Sequence, residues 1–321
     1  MKNQKLVCDK IVDDNFAAIR EIGKIAGQDE VLEFTLPRIA KQIIDQGMDS
    51  PENLKEETML SAMIPENIDR MSALITINNY YWGGRQVYKF DETLSDLLRS
   101  QTKEDMCVSS DVVHSLPVDH FFVLTETDKS YGFFVSFINK VIYITDVQKD
   151  KTLNSYMLLV VDGRSISDII TQTLEVGIGK NHMNQPKTKI MAEEICKKTA
   201  EFMQFVVYLS AINAEITPVT KGAIVRRQSE KREYKPRERS EQSEVGYRIG
   251  AAIRKSTEIR EKVVYVGEHG KGSPKSPHIR RSHFHSYWTG SGDSKELIVK
   301  WVNTIFVHGG DGNNSTVHNV K

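Results

Sequence analysis

Between residues 118 and 161 four short runs, 118–124, 131–139, 141–147 and 156–161, are rich in aromatic and β-branched residues and are separated by polar turns. Side chains on a strand alternate faces, so runs of this kind, with Thr127-Asp128-Lys129-Ser130 as a hairpin turn, predict an antiparallel meander. Residues 186–212 follow a different period. Ile190, Ile195, Phe202, Phe205, Val206 and Leu209 recur at helical spacing and give one broad apolar face, the mark of a helix laid across a sheet.

The same reading extends upstream. Residues 11 to about 80 carry helical stripes (Phe16, Ile19, Ile22 and Ile25, then Val31, Phe34, Ile39 and Ile43), broken near Pro37. Ser50-Pro51-Glu52 reads as a helix start, and Pro65 opens another helix with Ile68, Met71, Leu74 and Ile75. Residues 86–90 read as a short strand before a helix capped near Asp91, and residues 165–174 as a helix capped by Ser165 or Ser167. The expected class is α+β: N-terminal helices, a mainly antiparallel central sheet with a long covering helix, and a basic C-terminal β-hairpin module.

Charge divides the chain further. The net charge is zero, yet residues 221–301 hold 19 Lys and Arg against 10 Asp and Glu, so a basic last quarter is balanced by an acidic body. An asymmetry of this kind points to a polyanion partner, or to a basic face docked on the chain's own acidic part. Residues 221–244 are highly charged and nearly free of apolar side chains, which reads as a solvated linker or an arm able to track a phosphate backbone. The expected division is a helical region (1–82), an αβ body (83–220), the basic linker (221–244) and the β module (245–321). Residues 245–255 and 263–267 read as ordered, 271–277 as a flexible basic loop and 313 onward as a polar tail.

No apolar run approaches the roughly 20 residues needed to span a bilayer, and the first ten residues lack the apolar core of a signal peptide. Three widely spaced cysteines, Cys8, Cys107 and Cys196, argue against a disulfide framework and for a reducing cytoplasm. Two glycine-rich places fail as phosphate loops. Leu174 stands at the first glycine position before Gly177-Ile178-Gly179-Lys180 and Asn181 replaces the Ser or Thr, while residues 267–273 have Tyr265 at that position. No nucleophile-base arrangement or diagnostic carboxylate pair stands out, and no cofactor is expected.

The densest chemistry lies in residues 276–307. From His283 to Trp288 the period of two sets His283, His285 and Tyr287 on one face and Phe284, Ser286 and Trp288 on the other. A turn at residues 289–294 then leads into Leu297, Val299 and Trp301 alternating with Ile298, Lys300 and Val302, which predicts a hairpin. Arg280 and Arg281 precede it beside the histidine face. Arginine forks match phosphate oxygens, histidine titrates near neutrality and aromatic rings stack on bases, so the cluster suits RNA or DNA. The alternatives are a polar hairpin whose side chains brace one another with the tryptophans as core, and a metal site in which His278 or His269 joins the strand histidines. No cysteine is nearby and the spacing matches no metal motif.

These residues resemble a known family. Pro277, His278, Ile279, Arg280, Arg281, His283, His285, Tyr287, Trp288, Gly290, Gly292, Lys295, Glu296, Val299, Trp301, Phe306 and Val307 match, at fixed spacing, the C-terminal signature of the anti-CRISPR family that acts against the type V-A CRISPR effector nuclease and is found on phages and other mobile elements. Fainter likenesses lie at Tyr247-Arg248-Ile249-Gly250, at Glu215-Ile216-Thr217, over residues 88–94 and at Leu116-Pro117. The first 80 residues are similar only in general character.

The resemblance implies an inhibitor that blocks production of its target: it recognises the nascent N-terminal polypeptide, and the encoding mRNA is then degraded. On that implication the partners are a nascent chain of the type V-A effector or another host protein, the mRNA or ribosome, and a host ribonuclease. The residues expected to serve RNA binding or mRNA decay are His278, Arg280, Arg281, His283, His285, Tyr287, Trp288 and Trp301. If cleavage is intrinsic, His283 and His285 are the candidate base and acid, without metal; recruitment of a nuclease is favoured over self-cleavage. Two other classes stay open, a metal-free endoribonuclease of a mobile element and a non-enzymatic nucleic-acid-binding protein.

Overall fold

The computed structural model describes residues 6–20, 65–138, 140–178, 183, 185–227, 237–262, 278–280, 282–291, 295–302 and 305–307. The expected elements at 21–64, at 263–267 and in the C-terminal tail lie outside the described residues. At the centre is a seven-stranded sheet in the order β5-β4-β3-β2-β1-β7-β6. It comprises β1 (Gln86–Phe90), β2 (His120–Leu124), β3 (Ser130–Ile138), β4 (Val141–Gln148), β5 (Leu153–Leu159), β6 (Ile216–Pro218) and β7 (Glu241–Val245).

The meander forms as its aromatic and β-branched runs predict, with β2, β3, β4 and β5 paired antiparallel in sequence order. The turn at 127–130 closes by Thr127 N donating to Ser130 O and Ser130 N donating to Thr127 Oγ1. A bulge between Ser130 and Gly132 follows, where Gly132 has φ 143° and an added Cβ would lie 2.1 Å from Val123 O. Only glycine fits there.

β1 departs from the meander, because it runs parallel to both β2 and β7. The class is α+β and the sheet is mixed, antiparallel in four of its six pairings. β7 lies at residues 241–245, so the end of the stretch read as a linker is a strand flanked by β1 and β6. Its polar sequence, EQSEV, hid it: only Ser243 and Val245 are buried.

Helices cover both faces, where a single long helix was expected. On one face α2 (Pro65–Trp82) and α1 (Val7–Asp14) bury Ile77, Tyr80, Cys8 and Val12 against Val87, Phe122, Phe134 and Val147. On the other, α3 (Glu92–Ser100), α4 (Ser110–His114), α5 (Ile166–Ile178) and α6 (Pro186–Ser210) pack on Tyr88, Phe90, Phe121, Phe133 and Ile144. The two covered faces explain why the inner strands read as nearly unbroken apolar runs. Phe202 and Phe205 of α6 meet Phe133 at 4.7 and 5.8 Å between ring centroids. The first turns of α6 overhang, and Ile190, read as part of its apolar face, is 57% exposed.

The predicted caps hold. Asp91 accepts from Thr93 N and Leu94 N at the start of α3, and Ser165 Oγ accepts from Asp168 N at the start of α5. The N-terminal helix is pinned by a buried polar knot: Tyr80 OH lies 2.6 Å from Ser240 Oγ, Ser240 donates to Asp9 Oδ1 at 2.6 Å, and Arg85 pairs with Asp9 at 3.2 Å. Cys8 sits in this knot, and burial pushes its thiol up to about 11, which makes it an inert core thiol.

Candidate functional site

The C-terminal segment builds a two-stranded ribbon of its own. β9 (His283–Thr289) pairs antiparallel with β10 (Glu296–Val302), placing Trp301 opposite Phe284, Lys300 opposite His285 and Ile298 opposite Tyr287. β8 (His278–Arg280) pairs with β11 (Ile305–Val307) in the same register, since Arg280 faces Ile305 just as His283 faces Val302. The two strand pairs together make up the C-terminal ribbon. It does not join the central sheet, but one of its faces lies in the body's core.

On that face Trp301 is 2% exposed, with its ring 4.8 Å from Phe284 and 5.5 Å from Tyr208 of α6, both edge-on. Val299 is buried beside it, and Leu297 packs at the margin. The outer edge of β10 is satisfied by the body. Asn213 clamps Trp301 from both sides, Oδ1 accepting from Trp301 N and Nδ2 donating to Trp301 O, each at 2.8 Å. Ile212 N donates to Val299 O at 2.9 Å, and Asp111 Oδ2 accepts from Leu297 N at 3.1 Å. Ser282, at the foot of β9, is buried and accepts from Gln101 Nε2 at 2.7 Å. These contacts close an edge that would otherwise template pairing with another chain.

The opposite face carries the exposed rings of β9. His283, His285 and Tyr287 are exposed there, flanked on β10 by Glu296, Ile298, Lys300 and Val302. The His283 and His285 rings lie 6.4 Å apart, and His285 and Tyr287 lie 4.3 Å apart at an interplanar angle of 31°. Trp288 has the parity of Trp301, yet it sits at the tip beyond the body and is 68% exposed.

The structure thus sorts the expected site residues. His283, His285 and Tyr287 come together on one solvent face with Trp288 beside them, whereas Trp301 is a core anchor on the other face. The reading of both tryptophans as core holds for Trp301 and fails for Trp288. His278 and Arg280 enter the ribbon through backbone pairing in β8, and Arg281 lies outside the described residues. Sequence reasoning missed Asp111, Asn213 and Gln101, which hold the ribbon from 88 to 186 residues away in the chain. No local pattern marks such partners. Among the described residues no group of three His, Cys, Asp or Glu is placed to hold a metal ion.

Three of the four fainter upstream likenesses, all but Leu116-Pro117, meet at a second place, the carboxyl ends of β1 and β7. Glu215 accepts from Arg248 N at 3.0 Å and Ile249 N at 3.1 Å, capping α7 (Tyr247–Lys262), and pairs with Arg248 Nε. Asp91, already the cap of α3, also receives Arg254 at 2.9 and 3.0 Å. Gly250 packs so close that an added Cβ would lie 1.8 Å from Asp91 Oδ1. Both carboxylates are fully engaged, so this node braces two helices over the parallel strands.

Comparison with known proteins follows the same boundaries. The model of the anti-CRISPR type V subtype A2 family, AcrVA2-like, matches residues 88–309, from β1 through the whole ribbon. No curated protein matches the chain. Among solved structures, "Crystal structure of AcrVA2" is similar at 14% identity, covering 92% of this chain and 99% of that one with a TM-score of 0.46. With two thirds of its length matched by the family model, the chain belongs to the anti-CRISPR type V subtype A2 family.

Proposed function

We propose that this anti-CRISPR protein lowers production of its target by recognising the target's nascent N-terminal polypeptide and triggering degradation of the encoding mRNA, with the His283, His285, Tyr287 and Trp288 surface as the part that meets the message or the ribosome. The observation that carries this reading is that the family match runs through the ribbon while the ribbon's titratable and aromatic face stays in solvent. One face anchors the ribbon, and the other carries exposed polar and aromatic side chains.

Recruitment of a ribonuclease fits the geometry better than intrinsic cleavage. His283 and His285 stand side by side on an open face, with Lys300 opposite His285. Acid-base cleavage of a phosphodiester draws its power from donors pre-aimed in a site that excludes water, and an open strand face excludes none. The target is the type V-A effector or another host protein.

The test is message abundance for translated reporters fused to a panel of candidate N-terminal peptides, in cells expressing the wild type or a His283→Ala/His285→Ala variant. Loss of message with particular peptides, abolished in the variant, is the expected result. Loss irrespective of the peptide would instead make the protein a general ribonuclease, and no loss with any peptide, the type V-A effector's included, would end the nascent-chain reading.

A further inference from the structure

We propose that the outer edge of β5 takes one extended polypeptide strand, paired to it through the main chain and apolar on both of its faces. The proposal rests on the reading of the protein as one that recognises a nascent chain, and it names the surface that does so.

Register shows which backbone groups the edge offers. β5 ends the central sheet, with β4 on its inner side. At the two ends of the β4–β5 ladder Gln148 N donates to Thr152 O at 2.9 Å and Val160 N donates to Lys140 O at 2.7 Å, and between them Ile144 stands opposite Tyr156. Bonded pairs of an antiparallel ladder recur at every second residue. Asn154, Tyr156 and Leu158 therefore bond to β4, while Leu153, Ser155, Met157 and Leu159 turn their amides and carbonyls outward. Among the described residues no backbone group bonds to those of Leu153, Met157 or Leu159.

The sheet's two edges are built differently. β6 has three residues, one of them Pro218, and short strands and proline discourage pairing. β5 has seven residues, without proline or charge. An edge of that kind is a template for another extended chain.

Side chains say what the added strand must carry. Met157 and Leu159 share the parity of Leu153, which packs on the α2 side, and they are 40% and 45% exposed. On the other face α6 crosses the sheet toward this edge, since Tyr208 meets Phe90 of β1, Phe205 meets Phe133 of β3 and Phe202 meets Tyr156 of β5. Met191 and Ile190 lie about 16 to 18 Å further along the helix, which carries them past β5. They are 41% and 57% exposed. A strand added about 4.8 Å beyond β5 would cover Met157 and Leu159 with one of its faces and meet Ile190 and Met191 with the other.

These features select the occupant. A polynucleotide has no ladder of amides to offer, and β5 has no charge to meet phosphates. A second copy of this chain is the other source of a strand. Paired antiparallel about a twofold axis it would bring its own α6 to the same face, so that two overhangs compete for the space above the joined edge. A nascent segment has no overhang, and its main chain is still without partners.

The experiment uses the full chain and labelled peptides that copy the N-terminal segments of the reporter panel, the type V-A effector's included. Binding is expected to slow amide hydrogen exchange at Met157 and Leu159 at least about tenfold. N-methylation of alternate peptide residues should abolish binding in one parity and spare it in the other, a readout that needs no protein variant. Met157→Lys/Leu159→Lys, at exposed positions, should weaken binding about tenfold or more with no change in melting temperature. Peptide binding that leaves those amides exchanging as before, or that tolerates both parities of N-methylation, overturns the edge and leaves the nascent-chain reading standing. Peptide-dependent loss of message undiminished in the lysine variant does the same. Strand-like binding at β5 without loss of message from any reporter does the reverse. Binding by no peptide overturns the edge, and with no loss of message both readings fall. A dimer in sedimentation that the lysine variant breaks apart gives the edge to a second copy and overturns the peptide.

Discussion

The two faces of the C-terminal ribbon differ in what their side chains answer to. Phe284, Val299 and Trp301 lie on the face turned to the core, where Trp301 is almost wholly buried against Tyr208 and its backbone is clamped by Asn213. One residue along the strand, His283, His285 and Tyr287 are exposed, the His283 and His285 rings 6.4 Å apart and those of His285 and Tyr287 4.3 Å apart. A single run of matching residues thus mixes two kinds of constraint at a period of two. Presence in the motif says nothing about which kind a residue obeys; its parity and its distance from the body decide.

The largest expected effect follows from the buried face. Trp301→Ala removes a ring from a close-packed site and is expected to cost about 3–5 kcal/mol, read as a lowered urea midpoint and loss of the ribbon's protection from proteolysis. The Trp301 indole N–H is buried without a hydrogen-bond partner among the described residues, so Trp301→Phe, which deletes that donor and keeps a ring, should recover most of the loss. If Trp301→Ala melts like the wild type, the ribbon is not anchored as described.

An intermediate effect sharpens the contrast with a histidine of the body. His120, at the start of β2, is 5% exposed, and its pKa is lowered to about 4, first by burial, with Asp119 raising it and Arg227 lowering it further. A folded pKa below the unfolded value near 6.5 means that the unfolded chain takes the proton first. The associated stability is complete above about pH 6.5 and is lost as pH falls toward 4, by about 2 kcal/mol at pH 5. Urea midpoints at pH 7.5 and 5 should differ accordingly, and the difference should shrink in His120→Asn. An unchanged difference would assign the acid sensitivity to other groups.

The smallest effect on stability is expected where the effect on function is large. Trp288→Ala should shift unfolding by no more than about 0.5 kcal/mol, as exposed substitutions do, while removing activity in the reporter assay. A loss of stability comparable to that of Trp301→Ala would erase the distinction between the faces.

Much of this architecture is legible in the sequence, for definite reasons. The meander shows itself because runs of aromatic and β-branched residues are separated by turn residues, the ribbon because its strands alternate, and α3 and α5 because Asp91 and Ser165 cap them. β7 stays hidden because Glu241, Gln242 and Glu244 deny it an apolar pattern and its place is set by β1, far away in the chain. The second helical layer is foreshadowed by the unbroken apolar strands, whose two covered faces leave no polar alternation. At the site, the histidine face follows from period alone. Its anchoring by Asp111, Asn213 and Gln101 does not, because each is an ordinary polar residue until the fold brings it to the ribbon.

The parallel pairing of β1 with β7 also carries a kinetic consequence. Residues 86–90 wait for residues 241–245, and β6 has no partner in the sheet until β7 arrives. A ribosome that has finished residue 240 therefore carries at most a five-stranded sheet, with one side of β1 open as a row of unpaired amides and carbonyls. Such distant pairings make folding slow and leave its intermediates prone to aggregation. The sheet is completed only after about three quarters of the chain has been synthesised, so a transcript cut short before residue 241 yields an adhesive fragment, not a smaller working protein.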